Sequence, residues 1–210
     1  MKRLARLSAF AIAVTPPLAP VAAAAQMQTY YHAGAWDAFS GKSGTGGAVC
    51  GVGITQPPDN RRLSLRFDIG GTATSFSASK PDWSIPAGTH VTVVMQIGLA
   101  APATLQGTGH DRAIDWTLDP AAMQTFDGQF RGAASMTLAF PDGTEPPWSL
   151  SLAGSTAISD TFGRCVRDLT HQVQAAQSQG SGSSEPAPAG ATQPFAPPAA
   201  TTPGTPPPPR

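Results

Sequence analysis

The 210-residue chain carries 13 Lys and Arg against 13 Asp and Glu, and removing the N-terminal Lys2, Arg3 and Arg6 leaves 10 cations against 13 carboxylates, a net of −3 before histidines. That balance offers no clustered cations to nucleic-acid phosphates and little to anionic membranes, so neither is an expected partner.

From the N-terminus, Lys2, Arg3 and Arg6 lead into the apolar run Leu7 to Val14 and then the alanine block Ala22 to Ala25. This is the pattern of a secretory signal peptide over residues 1–25, with cleavage near Ala25 and a mature chain in the periplasm or secreted. Pro16, Pro17 and Pro20 break a segment already short for a membrane helix, and no cysteine follows it for lipid attachment, so no stable membrane insertion of the mature chain is expected.

The mature part opens on TYYHAGAW, which has no clear periodicity. It places Tyr30, Tyr31, His32 and Trp36 close together as recognition candidates, since Tyr and Trp are enriched at binding hot spots. The glycine-rich SGKSGTGG at 40–47 lacks the early glycine of a phosphate loop, where Trp36 stands, and a strand rather than a helix follows it. That strand, AVCGVGI at 48–54, puts Ala48, Cys50, Val52 and Ile54 on one face.

Beyond the turn PPDN, RLSLRFDI alternates Leu63, Leu65, Phe67 and Ile69 against Arg62, Ser64, Arg66 and Asp68, a half-buried strand. The Ser/Thr-rich TATSFSAS is a weaker, exposed strand. Its last residues, Ser77 to Lys80, match the Ser-x-x-Lys box of serine β-lactamases, but Pro81 disfavours the helix which that chemistry needs. Trp83, between prolines in KPDWSIPAG, is either a contact anchor or a plug folded over one end of the core.

HVTVVMQI and AIDWTLD continue the alternation with Val91, Val93, Met95 and Ile97, then Ile114, Trp116 and Leu118. Between them GTGHDRAID reads as a loop gathering His110, Asp111 and Asp115. DPAAMQTF reads as a short helix with Asp119 as N-cap and Pro120 at its first position. SMTLAF and PWSLSL flank the turn-rich PDGTEPP and should form a hairpin.

A last helix, starting near Ser155 or Ser159, carries one apolar stripe of Ile158, Phe162, Cys165, Val166, Leu169 and Val173. From Ser178 the composition turns Gly/Ser-rich and then Pro/Ala/Thr-rich. Residues 178–210 are therefore expected to form a disordered tail with polyproline II character.

In an exported chain the two cysteines, Cys50 and Cys165, are expected to be bonded, which pins the last helix to an early strand. The sequence contains no Gly-x-Ser-x-Gly elbow, and its histidines lack zinc-ligand spacing, so no catalytic residue, metal ligand or cofactor is assigned.

The resulting expectation is an α+β, mostly antiparallel domain over residues 26–177. It would be a single β-sandwich or partly open barrel of about seven or eight strands with a short helix and a C-terminal helix. The function expected is a non-enzymatic periplasmic or secreted binding module of the bacterial cell envelope, whose partner is a protein or envelope component and whose tail is a spacer or docking segment. The binding candidates are Tyr30, Tyr31, Trp36, Trp83, His110 and Asp111. The alternatives are a small-molecule binder using a barrel interior, and a small hydrolase or metal-dependent enzyme centred on His110 and Asp111.

Overall fold

A computed structural model describes residues 26–180. The expected leader, residues 1–25, and the tail beyond Gly180 lie outside the described residues. Ten strands and two helices follow in the order β1 (Gln26–Ala33), β2 (Trp36–Lys42), β3 (Ala48–Gln56), β4 (Arg61–Asp68), β5 (Thr74–Ser79), β6 (Ile85–Ile97), β7 (Ala103–Asp111), β8 (Ala113–Leu118), α1 (Pro120–Gly132), β9 (Ser135–Ala139), β10 (Trp148–Ser151) and α2 (Ser155–Gly180). The chain divides into two units after Gln172, and the sheet, α1 and most of α2 belong to the first.

The expected class is correct, but the strand count is not, and a two-sheet sandwich is not formed. All ten strands belong to one antiparallel sheet in the order β1-β2-β3-β4-β5-β8-β7-β6-β9-β10, curled into a half-barrel. Two of the extra strands come from TYYHAGAW and its surroundings, where β1 and β2 form a hairpin with Ala33 opposite Trp36. The register of β1 slips between Thr29 and Tyr31, and this bulge is what hides its alternation.

The third extra strand, β7, replaces part of the expected loop at 107–115. Two of its inward positions are Gly107 and Gly109, where a Cβ would lie 2.6 Å from Ile114 Cγ2 and 2.3 Å from Ile85 Cγ2 respectively. Neighbouring isoleucines thus fill the space that apolar side chains of β7 would otherwise occupy.

The inner face of the sheet holds the core. Trp36, Phe76, Trp116, Trp148 and, from α1, Phe126 and Phe130 are buried in one cluster, which packs the barrel interior with aromatic side chains. Phe76 stacks on Trp116 at 5.6 Å, while Phe126 and Phe130 meet Phe76 and Trp36 edge-on at 5.1 and 4.9 Å. Of the inward residues read from periodicity, Leu63, Leu65, Val93, Met95, Trp116, Leu138 and Leu150 are buried, whereas Phe67, Phe162 and Val166 are half-buried where α2 meets the sheet.

Local chemistry sets the helix positions. Asp119 accepts a hydrogen bond from Ala122 N at 2.8 Å and Pro120 opens α1, as expected. Arg131, near the end of α1, donates to Asp127 and to Asp160 of α2, each at 2.6 Å, and so ties the helices together. The two cysteines are bonded, Cys50 of β3 to Cys165 of α2, with Cα atoms 6.0 Å apart.

The open side of the curl is fastened by side chains. Trp36 Nε1 donates to Ser151 O at 2.9 Å and Gln56 Nε2 to Ser149 O at 2.7 Å, bringing β2 and β3 against the edge strand β10. At one end Glu145 accepts from Trp148 Nε1 at 2.8 Å, Lys80 Nζ at 3.1 Å and Trp83 Nε1 at 3.3 Å, with Arg61 Nε at 3.7 Å. Burial works against the Glu145 charge, but the hydrogen bonds from Trp148, Trp83 and Lys80 outweigh it and hold the carboxyl below its ordinary value.

Two predictions follow from these fastenings. A Cys50→Ser/Cys165→Ser variant should lose about 2–5 kcal/mol of stability, because the bond closes a long loop; urea denaturation of the oxidised wild type and the variant checks this. For Glu145 the folded pKa lies below the unfolded one, so its contribution is complete above the ordinary value of 4.5 and is lost as pH falls through the folded value. Stability measured from neutral pH down to about pH 3 should therefore fall more steeply in wild type than in Glu145→Gln, which should already be about 1–3 kcal/mol weaker at neutral pH through unpaired buried donors. Parallel pH curves would show that Glu145 is not the titrating contact.

Candidate binding cleft

The polar side of the same alternation builds the candidate site. On β4, β5 and β8 the residues pointing away from the core are Arg62, Ser64 and Arg66, then Ser75 and Ser77, then Asp115 and Thr117. The register sets Ser64 opposite Ser77, Ser77 opposite Asp115 and Asp115 opposite Thr108 of β7, with Arg66 opposite Ser75 and Ser75 opposite Thr117. These side chains, with Gln106, His110, Phe39, Met27 and Thr29, line an open cleft of about 680 Å³.

The cleft floor depends on a missing side chain. Gly51 lies beneath Phe39, and a Cβ there would sit 2.2 Å from Phe39 Cζ and 2.7 Å from Leu65 O. With no such atom the Phe39 ring lies down on β3, only 9% exposed, with the Arg62 guanidinium 6.0 Å from its centroid. Arg62 also donates to Thr55 Oγ1 at 3.3 Å.

At the other side His110 Nε2 donates to Asp115 Oδ2 at 2.6 Å. Asp111, the other candidate named with His110, occupies the β7–β8 turn with φ +48°, a left-handed conformation that Asp tolerates better than most residues. Of His110, Asp111 and Asp115, gathered in the expected loop, it is Asp115 that β-strand register brings to His110. Among the described residues no serine or threonine hydroxyl hydrogen-bonds to His110. Among the described residues no group of three His, Cys, Asp or Glu is placed to hold a metal ion.

The other sequence candidates fall elsewhere. Trp36 is fully buried and belongs to the core, which removes it as a contact residue. Trp83 folds inward, stacked 5.4 Å from Trp148 and edge-on to Phe140. Tyr30 and Tyr31 remain exposed and both line a second, smaller groove of about 370 Å³ beside Cys165, with Ser40, Arg164, Asp168 and Leu169. Adjacent strand residues ordinarily point to opposite faces, and the bulge in β1 lets both tyrosines reach one groove. Burial pushes the Tyr30 phenol above its ordinary value, opposed by Arg164 and reinforced by Asp168.

The sequence reading missed Arg62, Arg66, Ser64, Ser75, Ser77, Thr108 and Thr117 as a surface beside His110 and Asp115. The signal available was the polar half of the alternation, which was read only as the solvated side of each strand. Glu145 was likewise placed in a turn, without its indole and ammonium donors.

The chain matches no protein-family model, no curated protein and no solved structure. The arrangement of these side chains is therefore the basis for a functional assignment.

Gly51→Ala tests the floor. The added methyl should displace Phe39 from β3 and cost about 1–3 kcal/mol through overpacking. A melting curve indistinguishable from wild type would show that Phe39 does not need the bare glycine.

Proposed function

We propose that the protein is an exported, non-enzymatic binding module of the cell envelope whose recognition surface is the outer cleft of the half-barrel. The observation that carries this reading is the convergence of unused hydrogen-bonding groups. Ser64, Ser75, Ser77, Thr108, Thr117 and Gln106 make no side-chain hydrogen bond among the described residues, although they line one concave surface. Polar groups carried on rigid strands are held in place before a ligand arrives, which suits them to recognition.

Export is supported by the leader pattern and by the Cys50–Cys165 bond, which suits an oxidising compartment. Among the described residues no helix is long and apolar enough to cross a membrane. The tail from residue 178 then serves as spacer or docking segment, its proline-rich composition suiting an aromatic groove on a partner. The enzymatic alternative has only the His110–Asp115 pair to support it, and that pair serves equally as a hydrogen-bonding wall of the cleft.

A photoreactive residue placed at Ser77, in the cleft, and separately at Gln124, on the exposed side of α1, checks the proposal in cells. Cross-links to envelope material should form from position 77 and be absent from position 124. Equal cross-linking from both, or none from position 77, would remove the cleft as the recognition surface.

A further inference from the structure

The cleft has a definite chemical pattern. Strands lie about 4.8 Å apart and alternate residues about 6.6 Å apart along each strand. The rows Ser64–Ser77–Asp115–Thr108 and Arg66–Ser75–Thr117 therefore form a grid of hydroxyl groups with that spacing. Arg62 and Arg66 stand on one border of the grid, four residues and so about 13 Å apart on β4.

Neither arginine has a buried carboxylate partner. Among the described residues Arg62 has no carboxylate partner. Arg66 Nε lies 3.5 Å from Asp68 Oδ2 with both side chains close to half exposed, a weak pair. The lining holds one carboxylate, Asp115, and His110 already occupies it.

We infer that the cleft takes an acidic saccharide, with its acid groups on Arg62 and Arg66 and its hydroxyls on the serine and threonine grid, an inference that rests on the cleft being the binding surface. A sugar chain presents many hydroxyls, each both donor and acceptor, which matches the Ser and Thr inventory. Guanidinium groups pair with carboxylate, sulfate or phosphate substituents through two parallel hydrogen bonds. An acidic peptide fits less well. Strands β4, β5, β8 and β7 are paired on both sides, so a peptide cannot add as a strand, and the cleft has no deep apolar hole for an anchoring side chain.

Titration calorimetry of the full mature chain tests this with three probes: a linear oligogalacturonate, a neutral malto-oligosaccharide, and poly-L-glutamate of matched charge. Oligogalacturonate should bind best. Its affinity should drop roughly tenfold or more in Arg62→Gln/Arg66→Gln, the scale expected for lost charged hydrogen bonds. Ser64→Ala/Ser77→Ala, which keeps both charges, should also weaken it, and thermal melts of both variants establish that they fold.

No binding of oligogalacturonate, equal binding of poly-L-glutamate, or an affinity unchanged in the arginine variant would overturn the assignment. Cross-links from position 77 in cells together with no oligogalacturonate binding would overturn the saccharide class alone. Absence of both would overturn the cleft reading as well.

Discussion

A single sheet with alternating strands can bury only one face against helices, and the rest of this molecule follows from that constraint. Most strands of the half-barrel put large apolar residues inward, where Trp36, Phe76 and Trp116 meet Phe126 and Phe130 of α1. Removing that surface from water supplies the main drive for folding. The opposite face receives Ser, Thr and Arg from the same strands, and among the described residues no second sheet or helix covers β4, β5 and β8 there. An open cleft lies on that face, and it is a by-product of how the core is satisfied.

Curling a sheet this far brings distant strands together without pairing them, and the chain handles the seam with side chains. Trp36 and Gln56 satisfy carbonyls of the edge strand β10, which would otherwise be open to another chain. Glu145 works at one end, gathering Lys80 and Trp83 from the β5–β6 loop and the indole of Trp148 at the start of β10. Each donor offsets part of the cost of burying the carboxylate, and the carboxylate in turn satisfies donors that would be left without water. The disulfide fastens α2 to β3 on another part of the sheet. These contacts differ in chemistry and act at separate places, so the curl does not depend on hydrophobic burial alone.

Much of this architecture is legible from period-two patterns. Where large apolar residues alternate, as in β4, β6 and β8, strand and facing both follow from the sequence. The reading fails where the inward position is occupied by something other than an apolar side chain. In β7 the inward positions are Gly107 and Gly109, covered by isoleucines from neighbours, and the strand looks like a loop. In β1 a bulge shifts the period midway, and two adjacent tyrosines share one groove. The helix cap at Asp119 is readable because capping is local, whereas the Glu145 cluster is not, because its donors lie 65, 62 and 3 residues away. The cleft has the same difficulty in a sharper form: Ser64, Ser77, Asp115 and Thr108 come side by side through the register of four strands, which a linear reading does not show.

The position of the cleft within the sheet has its own consequence for recognition. Its central strands have all their backbone edges paired, so a ligand meets side chains and not main-chain donors, and it meets them on short stems. Serine and threonine lose little rotamer freedom when they bind, and strands already fix their spacing, which lowers the ordering cost of association. Arg62 extends the same principle. Its guanidinium is held over Phe39 and by Thr55, and Phe39 lies flat because Gly51 leaves room beneath it. A glycine in β3, which contributes no contact of its own, thereby sets the height of a charged group at the cleft border. The side chains that recognise a ligand here are positioned by the same packing that keeps the sheet curled, so changes to the floor of the cleft act on binding and on stability together.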